Sequence, residues 1–170
     1  MHLESLRIAH RFIQKYLEDK PLNILDLGSL VVKRRRHRWS YRNFFNNPLW
    51  TYTGADVEEG KNVDVVLKDP YKWQFEDNTF DVIISGQTIE HIEFVWVWFV
   101  ELARVLKHGG LCLIIAPAVF RKHRYPIDTF RYYPDGMAAL AKWAGLEVIK
   151  VRLRRSSKKT QDTYMVATKI

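Results

Sequence analysis

The sequence predicts an α/β fold: a doubly wound, mostly parallel seven-stranded sheet with an antiparallel last strand and helices on both faces. Three observations carry this. Short, continuous apolar runs recur at residues 23–27, 51–56, 63–67, 80–85 and 111–116, with the length and texture of strands buried on both faces. Segments of helical spacing alternate with them, and that alternation builds parallel sheets through right-handed crossovers. Two final apolar runs, 147–153 and 164–169, are joined only by the polar stretch 154–162, a hairpin-type connection that turns the last strand antiparallel.

Taken in order, Leu3, Leu6, Ile13, Tyr16 and Leu17 recur at helical spacing and Lys20-Pro21 stops the pattern, which places an N-terminal helix within residues 1–20. Residues 40–47 read as a short helix and 92–106 as a long one. The long one ends at Lys107-His108-Gly109-Gly110, where basic last-turn residues meet a glycine stop. A further helix at 135–144 follows Pro134 and is closed by Gly145. No repeat or linker interrupts the chain, and 170 residues suit a single domain. Its core is expected over 22–170.

An apolar content of 47% and an aromatic content of 14% exclude a disordered chain. Cys112 is the only cysteine, so no internal disulfide forms, and it lies in a buried strand run. No signal-type stretch opens the chain, and the most apolar segment carries Glu93, Glu101 and Arg104. A soluble, cytoplasmic protein with no membrane partner is expected. The net charge of +8 comes from 27 basic and 19 acidic residues, with the excess at 33–38, 121–124 and 150–159. These clusters suit an anionic partner, or serve only as solvated loops.

Doubly wound sheets bind ligands beyond the carboxyl ends of their strands, near the first strand. There the chain reads Ile24-Leu25-Asp26-Leu27-Gly28-Ser29, with a glycine that allows close backbone approach. The second strand ends in Gly54-Ala55-Asp56, a carboxylate suited to two ribose hydroxyls. The third ends in Lys68-Asp69-Pro70, and the fourth leads through Ser85-Gly86-Gln87 to Glu90-His91.

This ordered set, together with Arg104-Val105-Leu106-Lys107-His108-Gly109-Gly110, resembles the class I, Rossmann-like S-adenosylmethionine-dependent methyltransferases over nearly all of residues 22–170. The resemblance implies S-adenosylmethionine as cofactor and S-adenosylhomocysteine as product. By match, Gly28 holds the methionine part, Asp56 the ribose and Asp69 the adenine, with Ser29, Ser85 and Gln87 in the same crevice. Leu30 stands where the family has a second glycine, and a basic stretch follows at 33–39, so Ser29 or Arg42 is expected to hold the methionine carboxylate.

Methyl transfer needs positioning above all, and a base where the acceptor is a hydroxyl or protonated amine. His91 and His123 are the candidates, with Asp128 and Arg131 placed to orient His123 or bind substrate. The composition around His123, with Arg121, Arg124 and Arg131, suits an anionic acceptor. No metal site is read. A small-molecule acceptor is favoured over nucleic acid, because no Asn-Pro-Pro-Tyr type tetrapeptide follows the fourth strand. Phe94, Trp96, Trp98 and Phe99 put aromatics on more than one helix face, which a homodimer contact or a substrate wall would explain.

Two rivals stand beside this reading. A dinucleotide oxidoreductase would need the missing Gly-x-Gly-x-x-Gly loop and a second nucleotide-binding half. A non-catalytic domain of the same fold, binding RNA or another polyanion through the basic clusters, is supported by the altered glycine loop.

Overall fold

In the computed structural model, which describes residues 3–32, 40–157 and 159–170 (Ser156 by its backbone alone), seven strands form one sheet. They are β1 (Leu22–Leu27), β2 (Trp50–Asp56), β3 (Val65–Val66), β4 (Phe80–Gly86), β5 (Leu106–Val119), β6 (Leu146–Ser157) and β7 (Thr160–Lys169). Their order is β3-β2-β1-β4-β5-β7-β6. The first five are parallel, and β7 inserts antiparallel between β5 and β6. Helices α1 (Leu3–Tyr16), α2 (Val95–Val105) and α3 (Pro134–Trp143) cover it.

Strand alternation divides the core into two layers. Leu22 and Ile24 of β1, Val82 and Ile84 of β4, and Leu113 and Ile115 of β5 meet Leu6, Ile8, Ala9 and Phe12 of α1, with Tyr41 and Phe45 beside them. The intervening residues Leu25, Leu27, Ile83, Cys112 and Ile114 meet Trp98, Phe99 and Leu102 of α2 and Met137 and Ala141 of α3. Cys112 is wholly buried at the centre of this second layer, and burial pushes its thiol up to about 12. Among the described residues no helix is long and apolar enough to cross a membrane.

Four local expectations are corrected. The 40–47 segment is a single 3-10 turn, Tyr41–Asn43, because Asn46, Asn47 and Pro48 follow it too closely for a helix to propagate. The third strand shrinks to two residues at the sheet edge. The 154–162 connection is largely ladder, with Arg154 opposite Asp162 and Arg155 opposite Gln161, since β6 is an edge strand whose charged side chains remain in water.

The fourth concerns the two glycines after α2. The helix stops at Val105 and β5 begins at once. Phe80 pairs with Leu106 but Val82 with Leu111, so residues 107–110 bulge opposite Asp81. A Cβ on Gly110 would lie 2.8 Å from Lys107 O, which only glycine avoids. Lys107 Nζ pins the bulge to both Asp81 carboxylate oxygens at 2.9 Å. The motif that resembled a helix stop is therefore a strand bulge.

Candidate functional site

A cleft of about 740 Å³ opens beyond the carboxyl ends of β1, β2 and β4, the size of a small-ligand site. Its first wall is the loop after β1. Gly28 takes φ +79°, and a Cβ there would meet Thr88 Oγ1 at 2.1 Å, so the loop closes onto β4 only with glycine present. The N–H groups of Gly28 and Ser29 both donate to Ala55 O, that of Leu30 to Asp56 Oδ2 and that of Val31 to Lys61 O. Asp56 also receives Glu58 N–H. A carboxylate has about four lone-pair positions, so acceptor capacity toward the cleft remains.

Behind this loop lies a polar network that the sequence did not single out. Asn62 donates to Ser29 O at 2.9 Å and receives the Ser29 hydroxyl on its own carbonyl at 2.9 Å. Arg42 donates from Nε to Asn62 at 2.8 Å, pairs with Asp64, and stacks its guanidinium 4.5 Å from the Tyr52 ring. Tyr52 in turn donates to Asp26, which is buried and whose carboxyl burial pushes up to about 7. Arg42 is thus a strut outside the cleft lining. Asn62, inside a turn with φ +76°, offers the only sequence signal for this network: an asparagine two residues after Gly60.

The other expected contacts divide. Gly28, Ser29, Asp56 and Gln87 line the cleft, although the Ser29 hydroxyl is already given to Asn62. Ser85 does not line it; its hydroxyl donates to Leu27 O at 2.8 Å and ties β4 to β1. Asp69 does not line it either, because its carboxylate accepts Tyr71 and Lys72 N–H groups and caps the turn. Its neighbours Leu67, Pro70 and Tyr71 make an apolar wall instead. The basic residues 33–39 lie outside the described residues.

The opposite wall carries the histidines. His91 and His123 line the cleft with ring centroids 4.8 Å apart. His91 Nδ1 lies 2.6 Å from Ile127 O, and a carbonyl only accepts, so Nδ1 is the donor in that contact. His91 Nε2 stands 3.8 Å from Glu90 Oε1, and His123 Nε2 stands 4.0 Å from the same oxygen. Glu90 is 0% exposed, neither carboxylate oxygen has a hydrogen-bond partner, and burial pushes the carboxyl up to about 8. Its backbone is fixed by Thr129, whose N–H and hydroxyl both donate to Glu90 O. Burial and the neighbouring His91 lower the pKa of His123.

Asp128 receives His123 N–H at 2.6 Å and is clamped by Arg131 at 2.5 and 2.8 Å, which holds its carboxyl well below the usual range. The remaining Arg131 donors go to the Phe120, Phe130 and Arg121 carbonyls. Arg131 is therefore committed to the loop, and of the three expected arginines Arg124 alone lines the cleft. Tyr125 hydroxyl reaches Glu58 at 3.3 Å, joining the two walls. Glu90 had been visible only as the acid before a histidine, with no role attached.

Arg104, in the last turn of α2, is structural. It forks onto both Glu101 oxygens at 2.6 and 2.8 Å and reaches Asp77 and Trp73 O. Phe99 proves fully buried, whereas Phe94 and Trp96 remain exposed against Tyr71 and one another.

Residues 46–114 match a family model described as a methyltransferase domain. No curated protein matches the chain. Its fold is similar to that of a putative methyltransferase from Bacillus halodurans C-125, at 12% identity and TM-score 0.72, covering 98% of this chain and 99% of that one. It is similar to a Burkholderia thailandensis 1,6-didemethyltoxoflavin-N1-methyltransferase with bound 1,6-didemethyltoxoflavin and S-adenosylhomocysteine, at 16% identity and TM-score 0.72, covering 97% and 78%. It is also similar to the cyclase SpnF, at 14% identity and TM-score 0.75, covering 97% and 81%.

Proposed function

Because the chain has the class I, Rossmann-like methyltransferase fold and a methyltransferase-domain sequence over residues 46–114, we propose that it transfers the methyl group of S-adenosylmethionine to a small molecule. The observation that carries this is the cleft's division into two chemically different walls. One offers Asp56 to a ribose diol, with Leu67, Pro70 and Tyr71 against a flat ring. The other offers two histidines and Arg124 to a second ligand. The residues present fit the cofactor, since Asp56 lines the cleft with acceptor capacity to spare and the Gly28 loop is held in place by its own hydrogen bonds.

The cofactor supplies an electrophilic methyl on a sulfonium; the chain's residues position the acceptor and remove its proton. His123 is the better placed base, because burial and the neighbouring His91 lower its pKa, while Ile127 O orients the His91 ring through Nδ1. Arg124 favours an acceptor carrying negative charge. The cleft's enclosure between the Glu58–Tyr125 contact and the sheet suits a small acceptor rather than a duplex.

Calorimetry with S-adenosylhomocysteine against NADH tests the cofactor, with saturable binding of the first alone expected. Release of S-adenosylhomocysteine from S-adenosylmethionine in the presence of hydroxylated or aminated anions then tests transfer. Absence of binding together with salt-sensitive RNA binding would replace the reading with a non-catalytic polyanion-binding domain.

A further inference from the structure

We propose that Glu90, His91 and His123 form a site for a divalent transition-metal cation, Zn²⁺ by its donor set, at the acceptor wall of the cleft. The argument begins with an imbalance of lone pairs. A fully buried carboxylate with no donor is costly unless something positive meets it. What faces Glu90 Oε1 is two imidazole Nε2 atoms at 3.8 and 4.0 Å. The His91 ring is held so that Nδ1 meets Ile127 O at 2.6 Å and Nε2 faces Glu90. The nearest guanidinium, Arg131, is spent on Asp128 and three backbone carbonyls.

The geometry suits a cation better than a proton. The three donor atoms lie within 4.8 Å of one another. A cation at roughly 2.0–2.2 Å from each ligand needs donors about 3.3 Å apart, so side-chain adjustments of about half an ångström close the set. One of the two histidines, His91, has the outer partner that metal-bound imidazoles need, whereas His123 Nδ1 has no hydrogen-bond partner. Ile127 O holds His91 Nδ1 at 2.6 Å, and Asp128 Oδ2 stands 3.9 Å from His123 Nδ1. Phe120 and His91 pack edge-on against the His123 ring at 4.8 Å each, fixing its plane.

Two imidazoles and one carboxylate leave a coordination position open, the arrangement of reactive rather than structural sites. Glu90 lies beneath and the two rings line the cleft, so the open position faces the acceptor. Resting on the methyltransferase reading, this assigns the acceptor an oxygen ligand, a hydroxyl whose proton the cation loosens. The oxygen's electron pair then forms the bond to the methyl carbon as the carbon–sulfur bond breaks, and the proton leaves to water. His123 then acts as a ligand rather than as the base.

The test is direct binding of Zn²⁺ and Co²⁺ to tag-free, full-length protein stripped with a chelator, read by calorimetry and by Co²⁺ visible absorption, without cofactor. One equivalent is expected to bind saturably, with Glu90→Gln and His123→Ala each weakening it at least about tenfold while circular dichroism and S-adenosylhomocysteine affinity are unchanged. Absence of a saturable equivalent, or wild-type binding by a folded Glu90→Gln, overturns the site. Should Glu90→Gln fail to fold, His123→Ala decides: retained binding overturns the proposal and lost binding supports it. Cation binding without S-adenosylhomocysteine binding would defeat the methyltransferase reading and leave the metal site standing.

Discussion

At the β1–β2 end of the cleft the backbone donors of residues 28–31 are all spent inside the protein, and Asp56 is held by two N–H groups. At the β4–β5 end Glu90 is fully buried with no hydrogen-bond partner on either oxygen, and two histidine Nε2 atoms stand 3.8 and 4.0 Å from it. The backbone of the first wall is held by the chain alone, and Asp56 is left as its acceptor. The second is electronically incomplete and is finished by whatever binds. On the proposed reading, preorganisation and reactivity lie on opposite sides of one space, each held by different elements.

The largest expected effect separates the two walls. Once an acceptor is in hand, His123→Ala should lower turnover by roughly 10² to 10⁴ and leave S-adenosylhomocysteine affinity unchanged. If His123 acts as a base, the rate holds through neutral pH and falls only below the ordinary histidine pKa near 6.5. An equal loss of cofactor affinity in calorimetry would erase the distinction between the walls.

Next in size is the strut behind the first wall. Asp26 carries a folded pKa of about 7 against 3.8 for the free side chain, raised chiefly by burial and lowered in part by the Tyr52 hydrogen bond. Because the folded value is the higher one, its contribution to stability is complete below pH 3.8 and is lost as pH rises through about 7. Asp26→Asn should remove that loss. Denaturant unfolding should show the variant gaining on wild type between pH 4 and 8, by on the order of a few kcal/mol. A constant difference across that range would mean Asp26 stays ionised.

Asp56→Ala should weaken S-adenosylhomocysteine binding by about 1.5 to 3 kcal/mol, the range for hydrogen bonds to a charged group, and unchanged calorimetric affinity would remove the ribose assignment. The smallest effect is expected at Arg42. Its ion pair with Asp64 is well exposed, so Arg42→Ala should cost under about 1 kcal/mol of stability and shift cofactor affinity less than twofold. A large loss of affinity would return Arg42 to the cofactor side.

The mostly parallel sheet, its antiparallel last strand and the glycine loop could be read from the sequence because they rest on local periodicity and on one residue's backbone freedom. Gly28 needs positive φ, and only its side-chain absence had to be seen. Ser85, Asp69 and Arg42 lie outside the cleft lining for a common reason: the sequence shows that a polar residue sits near a strand end, but not which neighbouring group reaches it first. Leu27 O, the turn at 71–72 and Asn62 claimed those three side chains. Glu90 is the reverse case. Its importance comes from a missing partner, and His123 lies 33 positions away in sequence, so no spacing connects them.

The buried thiol of Cys112 has a practical side. With that sulfur wholly enclosed between β4 and β7 and its pKa pushed to about 12, the native fold offers no thiolate to a maleimide. The wild-type protein is in effect a cysteine-free background for labelling. A single cysteine introduced at Val57, half exposed on the rim of the cleft, would carry a fluorophore alone and report occupancy of either wall by its emission.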